Sequence, residues 1–214
     1  MPDVLRQESK WDGHAELAIV EPPILFAFDR DKAHEMLKYL LKAVGGAYNY
    51  MALLKLVFFA DRYHVRTYGR PVSSDDYFAM KLGPVPSNLL REVKSIVGTG
   101  YDLRLSEAAT VDESEFSRSD REAMDFAVDS FGDIGREDPF RLAELTHAYP
   151  EWDRWRERFE KDPDGRENID YCDFLKDADP NHHVFVRLGF PDPYPVLPED
   201  QREFIIWQMR EVSI

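Results

Sequence analysis

The chain has 214 residues, and its 41 acidic side chains outnumber 27 Lys and Arg, for a formal net charge of −14 at pH 7. That balance argues against a protein that grips nucleic acid through phosphates or lies on an anionic membrane, since both need concentrated positive charge. It admits a basic protein partner, or simply a solubilising surface. At 43% hydrophobic and 13% aromatic the chain can bury a real core, enough for one domain with sizeable decorations. Cys172 is the only cysteine, which rules out an intrachain disulfide and a Cys-x-x-Cys metal or redox pair. Asp3, Arg6, Glu8 and Lys10 stand where a signal peptide would be apolar, and no apolar run approaches the ~20 residues of a membrane span. These features predict a cytoplasmic protein with no membrane contact.

Residues 1–30 are predicted as an N-terminal extension, ending in an apolar run at 24–28 that suits a short strand or an extended arm on the core. Asp29 or Asp31 can cap a helix over about 32–44, where Ala33, Met36, Leu37, Leu40, Leu41 and Val44 recur at helical spacing before Gly45-Gly46 stops it. A second helix over about 50–67 is apolar nearly all round, so it should be central; Gly69 and Pro71 end it. Residues 76–82 suit a strand, and Gly83-Pro84-Val85-Pro86 suits a rigid turn, because proline fixes φ and removes a donor. Ser87 can cap a helix over about 88–97.

A hairpin is predicted near 103–111, then a helix over about 120–133 capped by Ser119. Pro139 and Pro150 can each open a further helix, the second running to about Phe159. Residues 161–183 look like a loop with a helical patch at 171–176. Val184 to Leu188 suits a strand, four prolines make 189–198 a rigid linker, and 199–212 suits an amphipathic helix. The expected fold class is mainly α with a small antiparallel β-sheet (α+β). The domain scheme is an extension over 1–30, a core over 31–160 and a C-terminal decoration over 161–214.

Charge is uneven. Residues 112–138 hold ten acids and three arginines, a net of −7, half of the chain's excess. A solvated helix face or the footprint of a basic partner would each explain it.

Residues 53–64 read Leu-Leu-Lys-Leu-Val-Phe-Phe-Ala-Asp-Arg-Tyr-His. Gly69-Arg70-Pro71, the Tyr77-Phe78-Ala79 strand and Gly83-Pro84-Val85 follow, and Leu145-Thr146-His147 with Trp152 lies downstream. The combination resembles the SocA/Panacea antitoxin domain, also called phage-associated GepA-like. The resemblance implies a non-catalytic protein that neutralises a cognate toxin, usually encoded by an adjacent gene, by direct binding. Some relatives would instead deliver the toxin to a protease. Carried over residue by residue, the resemblance singles out Lys55, Asp61, His64, Gly69, Pro71, Ala79, Gly83, Pro84, Val85, Thr146, His147 and Trp152. Tyr77, Lys81 and Trp207 join these as candidate partner-binding residues.

Other chemistry is weighed against that reading. Asp61 and His64, three apart on one helix, can share a face. They could form a buried pair that satisfies both groups, a recognition element, or part of a metal-dependent hydrolase with His147, to which His34 or Glu35 would add ligands. His182 and His183 are adjacent, which on a strand would point them apart. Acidic surroundings would raise the Cys172 pKa and keep its thiol inert. Trp152, Trp155, Trp207, Tyr194 and Phe204 are either core residues or contact anchors. No cofactor or metal is expected, the predicted partner is a protein, and a homo-oligomer is compatible with the sequence.

Overall fold

The computed structural model describes residues 22–213. Nine α-helices and two small antiparallel sheets follow one another among these residues, an α+β architecture. Residues 22–29 form no ladder; Ile24 is buried and Phe26 and Phe28 pack on the core, so the run is an arm. Most of residues 1–30, expected as an extension, lie outside the described residues.

Helix α1 (Arg30–Ala43) starts at Asp29, whose side chain accepts from the Lys32 amide. The Gly45-Gly46 break leads into β1 (Ala47–Asn49), and Asn49 caps α2 (Tyr50–Tyr68). Helix α2 is buried along nearly its whole length, and it ends at Gly69, which adopts φ +70 and closes the helix onto Val65 O. Strand β2 (Tyr77–Met80) turns through Lys81 and Leu82 into β3 (Gly83–Pro86), with Met80 opposite Gly83 and Tyr77 opposite Pro86. The 83–86 segment is therefore a strand and not the expected turn. It can be one because the sheet order β3-β2-β5 puts it at the edge, where the two prolines cost no ladder bond.

Helix α3 (Ser87–Val97) has no cap from Ser87. Asp75 does that work from upstream, its carboxylate accepting from the Asn88 and Leu89 amides at 2.9 Å each. Strand β4 (Asp102–Arg104) pairs with β1, so the hairpin expected within 103–111 is absent. Helix α4 (Arg118–Glu137) starts at Ser117, not Ser119, through a capping box with Asp120. Helix α5 (Pro139–Leu145) follows under an Asp138 cap.

The helix expected over 150–159 is broken at Trp155 (φ −103, ψ 1) into α6 (Pro150–Asp153) and α7 (Arg156–Lys161). Strand β5 (Glu167–Asn168) adds to β2. Residues 184–188 lie in helix α8 (His183–Leu188) and not in a strand. The His182 ring accepts from the Val184 amide and Gly189 closes the far end at φ +60, and these two caps override the β-branched valines. The chain closes with α9 (Glu199–Val212).

Helix α2 is the hub. It packs most extensively on α4, where the Phe59 and Phe131 rings stack 3.6 Å apart at 6°. Residues beyond 160 line the same core: Tyr171, Phe174, Leu175, Phe185, Tyr194, Ile205 and Met209 are all buried. Among the described residues no helix is long and apolar enough to cross a membrane.

Gly135 sets how closely α4 approaches α2. A Cβ there would stand 2.7 Å from Leu142 Cδ2 and 3.1 Å from Ala52 Cβ. Gly135→Val is expected to cost about 1–3 kcal/mol by overpacking. Urea denaturation of the variant checks it, and a midpoint equal to that of the parent would refute this close packing.

Candidate functional site

The two sequence blocks set apart by the resemblance meet in space at the β2–β3 hairpin. Lys55, in the second turn of α2, is 1% exposed and donates to Pro84 O at 2.7 Å. Trp152, on α6, donates its indole N–H to Met80 O at 2.7 Å. Both arms of the hairpin are thus held through backbone carbonyls, one on each side of the Lys81-Leu82 tip.

Gly83 opens β3 at φ +98, a left-handed conformation that favours glycine. A Cβ at this position would meet Lys55 Nζ at 2.8 Å and the Thr146 side chain. Thr146 is buried and its hydroxyl donates to Ala143 O at 2.5 Å, tying the Thr146–Ala148 3-10 turn to α5. The His147 ring stacks on Trp152 at 3.6 Å and 9°. Lys55, Lys81, Gly83, Pro84, Val85, Thr146, His147 and Trp152 therefore belong to one cluster around the hairpin.

Lys55 and His147 are the buried bases of this cluster, and burial lowers the pKa of both. Burial pulls Lys55 down to about 7. Burial, followed by the positive charge of Lys55 and Arg156, pulls His147 down to about 3. The His147 Nε2 has no hydrogen-bond partner. The ring is hydrogen-bonded to the Lys81 backbone and stacked on the indole, so it packs against the hairpin as a neutral imidazole.

Asp61, Tyr77 and His64 belong to other parts of the molecule. Asp61 accepts from the Val72 and Ser73 amides and from the hydroxyls of Ser73 and Tyr77, which pins the loop between α2 and β2. Burial pushes its carboxyl up to about 6 against these four bonds, which favour the carboxylate. His64 contacts Arg70 O at 2.6 Å and Ser119 Oγ at 3.0 Å, with Asp120 3.3 Å away. Asp120 also pairs with Lys32 and Arg70.

Asp61 and His64 therefore do not satisfy one another, although they sit one helical turn apart. Each is taken up by a different loop. His147 joins neither of them, His34 pairs with Glu92, and Glu35 with Lys38. Among the described residues no group of three or more His, Cys, Asp or Glu is placed to hold a metal ion.

His182 and His183 open a helix and both rings turn to Arg156, at 2.6 and 3.2 Å, which puts a cation where a metal would have to sit. Burial, then Asp170, pushes the Cys172 thiol up to about 12. Of the aromatic candidates, Trp152 and Tyr194 are core residues, while Phe204 and Trp207 stack on the outer side of α9, 55% and 58% exposed.

The largest buried polar feature escaped the sequence reading. Arg62 is 0% exposed, donates to Glu151 at 2.8 Å and to Lys176 O at 2.7 Å, and lies between the Tyr149 and Tyr194 rings at 4.6 Å from each. One turn on, Arg66 bonds Phe174 O, Lys176 O, Pro195 O and Asp177. The available signal was an arginine in the middle of a helix apolar on every side, since such a charge is buried and needs a distant acid.

The depressed Lys55 pKa has a measurable sign. The folded protein releases this proton near pH 7 and the unfolded chain near 10.5, so stability is lost as pH falls toward 7 and gained as it rises above it. Between pH 7 and 8.5 the slope is expected to approach about 1 kcal/mol per pH unit. Lys55→Met is expected to flatten it; equal slopes in urea denaturation of the two proteins would contradict a dry Lys55.

Residues 53–153 match the family model described as antitoxin SocA-like, Panacea domain. No curated protein and no solved structure matches the chain. The matched segment contains the whole hairpin clamp, from Lys55 to Trp152, together with both members of the Arg62–Glu151 pair. Across residues 53–153 this chain is therefore similar to the SocA-like Panacea antitoxin domain.

Proposed function

We propose that the protein is an antitoxin that neutralises a protein toxin by direct binding, and that the β2–β3 tip is part of the contact surface. The inward direction of the motif's polar atoms carries this reading. Lys55 and Trp152 hold hairpin carbonyls, Thr146 holds α5, and His147 lies flat on Trp152. What these residues offer the outside is a fixed position for Lys81 and Leu82, with no reactive group presented to solvent.

Leu82 is 40% exposed and Phe140, at the start of α5, 65%. Together with Arg141, Glu144 and Leu188 they border a shallow depression beside the tip. Exposed apolar groups with a charged rim on a rigid support are the ingredients of a protein interface, because a preorganised surface loses little entropy on association. The toxin is expected from the adjacent gene, and sequestration without catalysis is the mechanism.

Co-expression with the neighbouring gene product tests this. The parent chain is expected to restore growth and to co-purify with that product. Leu82→Asp with Phe140→Asp is expected to weaken association by about tenfold or more while leaving the thermal melt intact, since both side chains are exposed. Undiminished rescue by the double variant would move the interface elsewhere, and absence of any association would remove the antitoxin reading itself.

A further inference from the structure

On the other border of Leu82 lies a cavity of about 260 Å³ between α2, the hairpin and α3. Its walls are apolar: Met51 and Leu54 from α2, Met80 and Val85 from the hairpin, and Leu90 from α3. The charged lining is of the opposite sign to the protein as a whole. Lys81 and Lys94 are exposed at its edge, against the single carboxylate of Asp164. In a chain with a net charge of −14 this is a local inversion.

The two edge lysines are also unused. Among the described residues neither the Lys81 nor the Lys94 ammonium has a hydrogen bond or an ion pair, although acids are abundant and Lys32, Lys38 and Lys176 each have an ion pair. Their attraction for an anion is therefore not offset by an internal partner. A small apolar chamber with a few converging cations suits a ligand that has an apolar body and one negative end.

We propose that this cavity binds a small amphipathic monocarboxylate, with the hydrocarbon tail between Met51, Met80 and Leu90 and the carboxylate at Lys81 and Lys94. The proposal does not depend on the toxin-binding reading, although Lys81 and Leu82 border both surfaces. Lys55 contributes at the wall through its stem, because its ammonium is engaged with Pro84 O.

The methionines make the cavity observable. In the full chain labelled with ¹³C at methionine methyls, octanoate is titrated below its micelle concentration, with octylamine and octanol as matched controls. Met51 and Met80 are expected to shift saturably with octanoate, while Met36 and Met124, fully buried elsewhere in the core, do not. Octylamine and octanol are expected to bind at least about tenfold more weakly. Lys81→Glu with Lys94→Glu is expected to weaken octanoate by a similar factor with the melt unchanged, both side chains being exposed. Absence of a shift, equal response to octylamine, or an unaltered affinity in the charge-reversed variant would each overturn the proposal.

Discussion

The Arg62 guanidinium is a permanent charge that water cannot reach, and the arrangement of the molecule around it follows from that. Moving such a group from water to a protein interior costs several kcal/mol unless charge and hydrogen bonds are restored. Here Glu151 restores the charge, Lys176 O takes a second donor, and two tyrosine faces supply the negative side of their ring quadrupoles. These partners come from residues 149–151, 176 and 194, so the charge is compensated only when α6, the segment after Leu175 and the proline-rich linker are all in place, with Arg62 Nη1 and Glu151 Oε2 left without a hydrogen bond. The Panacea match stops at residue 153, yet two of the groups around a charge inside the match lie beyond it. A domain boundary drawn at that end would leave Arg62 without its Tyr194 face and its Lys176 carbonyl.

The same logic recurs along α2. Lys55 holds the hairpin, Asp61 holds 72–77, His64 meets the 70–71 bend and the start of α4, and Arg66 holds 174–177 and Pro195. Each of these segments is a loop or a strand end whose backbone groups lack full ladder partners, and buried backbone polar groups need partners. An apolar helix could bury as much surface but could not fix irregular backbone in one conformation. The polar residues that give the sequence its recognisable pattern are thus positioning residues.

This division explains what the sequence disclosed. Helix positions and α+β class were legible because they depend on local periodicity and on caps such as Asp29, Asn49 and Gly69. The 83–86 strand was not, since proline counts against a strand until the sheet order shows it at an edge. Val184 to Val186 looked like a strand because the decisive features, the His182 cap and the Gly189 closure, are single residues. The candidate cluster was half legible: Lys55 and Gly83 stand in one sequence block and Thr146, His147 and Trp152 in another, and only the fold joins them. Asp61 with His64 was paired by spacing alone, although each side chain is claimed by a loop distant in sequence. Arg62 with Glu151, 89 positions apart, has no local signature at all.

The acidic excess around α4 is explained in part by the same inward demands. Asp120 takes Lys32 and Arg70. Glu122 accepts the hydroxyls of Tyr63 and Tyr68, and Asp125 that of Tyr39. Asp112 and Asp138 cap the turns that follow them. Five of the ten acids in 112–138 are therefore engaged with neighbouring structure, two of them as caps whose charge suits a helical N-terminus. Asp133, almost fully exposed, and Glu137 meet only arginines 4.0 Å away. Such surface pairs contribute little, so charge on this face is available for steering a basic partner. The hairpin side is different, with Lys81 and Lys94 unpaired and Leu82 exposed. A toxin seated at the hairpin would meet an apolar and locally cationic patch, while the −14 field of the whole chain acts at longer range on its approach.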